Sequence, residues 1–198
     1  IPKIDPGDSD AELFSSYNFV IGLTLVVMMG IFSVISATMS SKFIVDEYRG
    51  KKAILLFSYP ISRKKIMETK ILLVFLFTFG SMLISGAIVL AVFMITESLV
   101  PIGNDIASLG LMLTSIIYLV CYALIAAFCG IASSWIGFRK QSVIATIVAS
   151  CIIMVTMCQI VAMTFFSGVA MILLLAGMGI ITFLAVESML SQARKMEI

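Results

Sequence analysis

Four thiols, a scatter of carboxylates and no imidazole are what this chain brings to covalent chemistry. Cys121, Cys129, Cys151 and Cys158 fall inside apolar stretches and show no CxxC spacing. Free cysteine in that setting is a small apolar filler. The absence of histidine removes imidazole-activated nucleophiles and histidine-ligated zinc in one step. No glycine-rich phosphate loop is present, so the chain does not itself hydrolyse a nucleotide by the P-loop route. The remaining polar chemistry is concentrated in VDEYRGKKAILLFSYPISRKKIMETK, Val45 to Lys70, the one long charged stretch.

The elements around that stretch are greasy. An apolar share of 61% and a mean hydropathy of +1.17 exceed what soluble domains carry and mark an integral membrane protein. Apolar runs cover approximately Asn18 to Met39, Ile71 to Ile95, Leu109 to Ile131, Val143 to Met163 and Val169 to Met189. Each reaches the ~20 residues that a helix needs to cross ~30 Å of hydrocarbon. Barrel-type alternation is absent, so helices must satisfy these backbones in lipid. The expected fold is an all-α, polytopic transmembrane bundle, one domain over residues 1–198. Thr164 to Gly168 is a tight connection, read either as a hairpin or as the remnant of a longer loop.

Basic residues fix the expected orientation, because cytoplasmic loops retain Lys and Arg. The stretch from Lys42 to Lys70 holds eight of them, Arg139 and Lys140 follow the third run, and Arg194 and Lys195 follow the last. Only Lys3 lies on the other side, together with Asp5, Asp8, Asp10, Glu12, Glu97 and Asp105. Alternate connections therefore agree, with residues 42–70 in the cytosol. The first residue would then lie outside, with neither an initiator Met nor a signal-peptide core before it. The expectation is a preceding membrane helix, making six spans with both ends in the cytosol. A net charge of +2 gives no nucleic-acid reading.

Within the charged stretch, Asp46 and Glu47 suit a helix N-terminus, and Glu47 stands four residues before Lys51, a favourable helical pair. Ile54 to Phe57 is apolar all round the helix circumference, so that helix must be surrounded. Ser58 to Pro60 breaks it, and the SRKK restart continues into the membrane at Ile71. Two readings stay open on these residues alone. One is an amphipathic helix on the inner leaflet with Lys and Arg facing anionic lipid. The other is a plug fitting a groove on a cytosolic partner.

The pattern E-Y-R-G-K…L-L-x-S-x-P-I-S-R-x-K-I-x-x-x-K resembles the signature of permease subunits of type II ATP-binding-cassette exporters, which lies between the second and third membrane helices of that family. By this resemblance Glu47 is the family's acidic residue and Gly50 the glycine of its Gly-Thr pair. Leu55 and Leu56 are the leucines of the coupling helix, Pro60 and Arg63 form its Pro-x-x-Arg turn, and Lys70 opens the third span. Arg49 and Phe57 fall within the same docking stretch. Lys51 stands where the family has Thr, and Thr69 where it has Gly. The resemblance implies an exporter of two permeases and two cytosolic ATPase subunits, with ATP and Mg on the ATPase and none on this chain. This permease would be no enzyme; it would sit in a bacterial plasma membrane and be pushed through the Val45 to Phe57 helix. Among family members, exporters of membrane-active peptides such as phenol-soluble modulins or bacteriocins are nearest in size and in this loop.

Other features carry two readings each. Ala126, Gly130 and Ser134 recur every fourth position, as do Ser81 and Ser85, for close helix contact within the chain or a dimer face with a second copy. Fourteen Met and fourteen Phe suit a pliable cavity for amphipathic cargo, or simply face lipid. Gln159, Tyr118 and Tyr122 are pore groups or helix-to-helix hydrogen bonds, and Glu187 near the end of the last run can snorkel. Spans almost free of charge suit hydrophobic or amphipathic cargo better than a sugar or metal ion. Drug, lipid or cation export, and a membrane scaffold or regulator without transport, are the competing functions.

Overall fold

A computed structural model describes residues 17–47, 63–99, 109–164 and 168–195. The elements are α1 (Tyr17–Ser40), a single π-helical turn (Ser41–Val45), α2 (Arg63–Leu99), α3 (Leu109–Lys140), α4 (Val143–Thr164) and α5 (Gly168–Lys195). Among the described residues five helices are long and apolar enough to cross a membrane, and the protein is a multi-pass, all-α membrane bundle. Each expected run is found inside a helix. Several helices run past the apolar stretch, α2 starting at Arg63 and α3 ending at Lys140, because helix-forming charged residues continue the hydrogen-bonded spiral.

The bundle is organised around α3, which packs against each of the other four helices. Its sequence explains that position. Ala123, Ala126, Ala127, Cys129, Gly130, Ala132, Ser133 and Ser134 are all buried, and small side chains let several backbones approach at once. A Cβ on Gly130 would collide with the Ser36 side chain of α1, so α1 and α3 meet at the closest approach their backbones allow. Ala126, Gly130 and Ser134 are all buried inside the chain, Gly130 against Ser36 of its own α1. Gly86 on α2 likewise meets Leu119, and Gly137 meets Thr146 of α4.

Helices α4 and α5 flank α3 and scarcely touch each other. Their outward residues are bulky: Ile144, Val148, Ile152 and Val155 on α4, and Ile172, Leu173, Ile180 and Leu184 on α5. This distribution inverts that of a soluble bundle, with small and hydroxylated side chains inside and branched ones outside. Hydrocarbon solvates Leu and Ile as well as a protein core does, so close packing decides what goes inward.

The α3–α4 corner is closed by backbone bonds. Gln141 N–H donates to Phe138 O (3.2 Å) and Ser142 N–H to Gly137 O (3.1 Å), with Gln141 at φ 47°. This is the paired C-terminal motif usually completed by glycine. Ser142 then caps α4, its hydroxyl accepting from Ala145 N–H at 3.4 Å.

Candidate functional site at the charged end

Every described basic side chain gathers at one end of the bundle. Lys42 follows α1, Lys64, Lys65 and Lys70 open α2, and Arg139 and Lys140 close α3. A shared apolar floor holds these ends together: Ile44 and Val45 after α1, Met67 and Ile71 of α2, Phe138 of α3, and Met189 and Leu190 of α5. All are buried, so the ends of four helices are fixed relative to one another.

The exit from α1 is shaped by its hydroxyls. Ser40 Oγ donates to Ala37 O (3.0 Å) and Ser41 Oγ to Thr38 O (2.8 Å), competing with the helical ladder. The ladder slips to the wider spacing, with Asp46 N–H donating to Ser41 O at 2.9 Å. Asp46 and Glu47 therefore lie in a turn closing the first span, where the sequence suggested the start of a new helix. The expected Glu47 partner, Lys51, lies outside the described residues. Glu47 accepts a hydrogen bond and ion pair from Lys70 Nζ of α2. A carboxylate just past a helix C-terminus meets the negative end of that helix, and a lysine there offsets the repulsion. One turn before Lys70, Lys64 pairs with Glu68 at 3.2 Å along α2.

On the other flank, the Arg139 guanidinium lies 5.7 Å from the centre of the Trp135 ring, within cation–π range. Lys140 is exposed beside it and both charges sit in the last turn of α3, where the helix dipole favours them. The Trp135 indole N–H is buried and makes no hydrogen bond among the described residues.

Of the residues the sequence singled out here, Glu47 and Lys70 are brought together. Arg63 begins α2. Arg49, Gly50, Leu55, Leu56, Phe57 and Pro60 lie outside the described residues. Tyr122 is fully buried with its ring stacked on Tyr118 (6.1 Å between centroids), which places this pair inside the helix packing. Gln159 and Glu187 are exposed on α4 and α5. Among the described residues no group of His, Cys, Asp or Glu is arranged to hold a metal. Sequence reasoning missed the Glu47–Lys70 contact and the floor beneath it. Alternating basic connections were the available signal for the floor, since helix ends on one side of a membrane must meet.

No protein-family model matches the chain, and no solved structure is similar to it. It is similar to the uncharacterized protein YcbO of Bacillus subtilis (strain 168), 28% identical over 123 residues, which is 62% of this chain and 54% of that protein. The chain thus spans about half the length of the curated relative it matches.

Proposed function

We propose that the protein is the transmembrane subunit of an ATP-driven exporter of the type II ATP-binding-cassette class, with hydrophobic or amphipathic cargo, peptides before drugs, lipids or cations. The observation that carries this reading is the Glu47–Lys70 pair. The residues matching the family signature begin at Glu47 and end at Lys70, and these two side chains are in contact over a buried floor. A segment anchored at both ends transmits a push to the spans it joins; one anchored loosely would absorb it. The basic frame and the apolar Ile54 to Phe57 sequence suit insertion into a groove on a cytosolic ATPase, which supplies ATP and Mg. A second permease copy completes the exporter in a bacterial plasma membrane.

The test is the double substitution Leu55→Asp with Leu56→Asp. Burying two leucines in a partner groove is worth about 3–6 kcal/mol, so affinity for the ATPase should fall by roughly 10²–10⁴. Carboxylates left in the groove would add to the loss. The variant should insert normally, because both positions lie outside the spans, yet neither retain a Walker-motif ATPase on affinity purification nor export cargo. Unchanged ATPase retention and transport, with lost affinity for anionic liposomes, identifies a lipid-surface helix instead. Failure of the unmodified protein to recover any such ATPase favours a scaffold or regulator.

A further inference from the structure

Three cations of the charged end belong to one corner of the bundle. Arg139 and Lys140 close α3, and the π turn that carries Lys42 packs on both α3 and α4. All three side chains are exposed, and none is ion-paired among the described residues. The carboxylates that do pair at this end, Glu47 and Glu68, engage Lys70 and Lys64 of α2, a helix that among the described residues makes no contact with α4. Asp46 at the end of the π turn leaves three cations against one carboxylate. The corner is net positive.

What accompanies these cations selects the partner. Phe43, next to Lys42, is 44% exposed, and Ile144 in the first turn of α4 is 74% exposed. Both belong to membrane-spanning segments, so their exposed surfaces meet hydrocarbon, whereas Lys42, Arg139 and Lys140 fall at the ends of spans, at headgroup depth. Trp135 reinforces that level. Its ring packs on the buried floor and carries the Arg139 guanidinium above it, an aromatic anchor and a cation at one boundary. A soluble anion would use the cations alone, and an acidic protein surface could not follow Phe43 and Ile144 into the hydrocarbon. A negative headgroup carried on acyl chains matches both parts.

We propose that this corner is a binding site for an anionic glycerophospholipid, with Lys42, Arg139 and Lys140 facing its phosphate and Phe43 and Ile144 its acyl chains. Under the orientation read from the basic connections it is a lipid of the inner leaflet. The site requires neither cargo nor ATPase, so it stands apart from the export reading.

The experiment measures lipid binding to the purified full chain in neutral detergent by native mass spectrometry, with phosphatidylglycerol and phosphatidylcholine of identical acyl chains as probes. The first phosphatidylglycerol should bind more tightly than phosphatidylcholine. Each basic residue near a membrane surface contributes roughly fivefold to such a preference, so Arg139→Gln with Lys140→Gln should weaken phosphatidylglycerol binding by roughly thirtyfold and leave phosphatidylcholine unchanged. Lys42→Gln alone should cost about fivefold. Lys64→Gln with Lys65→Gln removes the same charge from the start of α2 and should change binding by less than about twofold, the control for diffuse attraction. Glycerol phosphate, a headgroup without acyl chains, should not displace the bound lipid at millimolar concentration. Equal losses from the two double variants, displacement by glycerol phosphate, or no preference for phosphatidylglycerol in the unmodified chain overturns the proposal. The last comparison involves no substitution and decides even where a variant folds poorly.

Discussion

Lys70, where α2 enters the apolar layer, donates to the carboxylate of Glu47 at the end of α1, closing 23 positions of sequence into one contact. Both side chains keep partial access to water, 20% and 36% exposed, so the pair is worth little to the fold. Its consequence is positional: the buried floor holds the two spans together, and the pair lies just where the intervening segment leaves and returns.

Replacing Lys70 by Met should therefore change the unfolding free energy by less than about 1 kcal/mol, measured by denaturant titration in detergent. If the protein works as the exporter subunit proposed above, retention of its ATPase should fall much further. The charge-reversed double variant, Glu47→Lys with Lys70→Glu, should restore retention, since the contact survives reversal. A loss of several kcal/mol in the Lys70→Met variant would instead make the pair a structural strut and remove the reason to assign it a coupling role.

Packing at Gly130 gives an independent prediction. A valine there must displace Ser36, and overpacking of this kind costs about 1–3 kcal/mol. Ser36→Gly in the same chain should recover much of that loss, while Ser36→Gly with Gly130 intact should cost less. The cycle separates the α1–α3 contact from a dimer seam, because a seam would shift the oligomeric state with little change in the stability of the single chain.

Gln141 is the described non-glycine residue with positive φ, and it completes the C-terminal motif of α3 at an energetic disadvantage. Gln141→Gly should raise stability by about 0.5–1 kcal/mol. Gln141→Pro should be strongly destabilising, since it forces φ negative and removes the N–H that Phe138 O accepts. Thermal unfolding of the pair against the parent checks both signs.

How much of this was legible in the sequence depends on which physical rule was in play. Span number and position followed from length and hydropathy, and α1 to α5 each enclose an expected run, α2, α3 and α5 continuing past it into charged residues. Which face of each span turns inward was not legible. In lipid both the core and the surroundings are apolar, so Leu25 and Leu23, two residues apart on α1, are respectively buried and exposed with no difference in type. Small residues were the better signal, and the Ala126–Gly130–Ser134 spacing did mark a close contact without saying with which helix. At the charged end, local reasoning paired Glu47 with Lys51 because helical spacing is all that a single sequence displays. The pairing with Lys70 depends on how the floor under Ile44 and Met67 brings two helix ends together. The π turn was also hidden, since Ser40 and Ser41 announce backbone competition without giving its outcome.

Topology supplies the last prediction, and it follows from where the charges gather. Lys65 at the start of α2 and Lys140 at the end of α3 stand at one end of the bundle, and Thr96 near the far end of α2 at the other. Translocating a cluster of lysines and arginines is disfavoured, so the end carrying Lys42, Lys64, Lys65, Lys70, Arg139 and Lys140 should remain cytosolic. In a chain whose four native cysteines are replaced by Ala, a single cysteine at Thr96 should react with an impermeant maleimide added to intact cells. Cysteines at Lys65 or Lys140 should react only after the membrane is opened. Each substitution removes at most one of several basic residues, too few to reorient a bundle in which the alternate connections agree. The Thr96→Cys variant protected while both others react from outside would invert the orientation, moving residues 48–62 away from any cytosolic ATPase and ending the exporter reading. Lys65→Cys and Lys140→Cys reacting from opposite sides would contradict the bundle itself, because Met67 and Phe138 share a single buried floor.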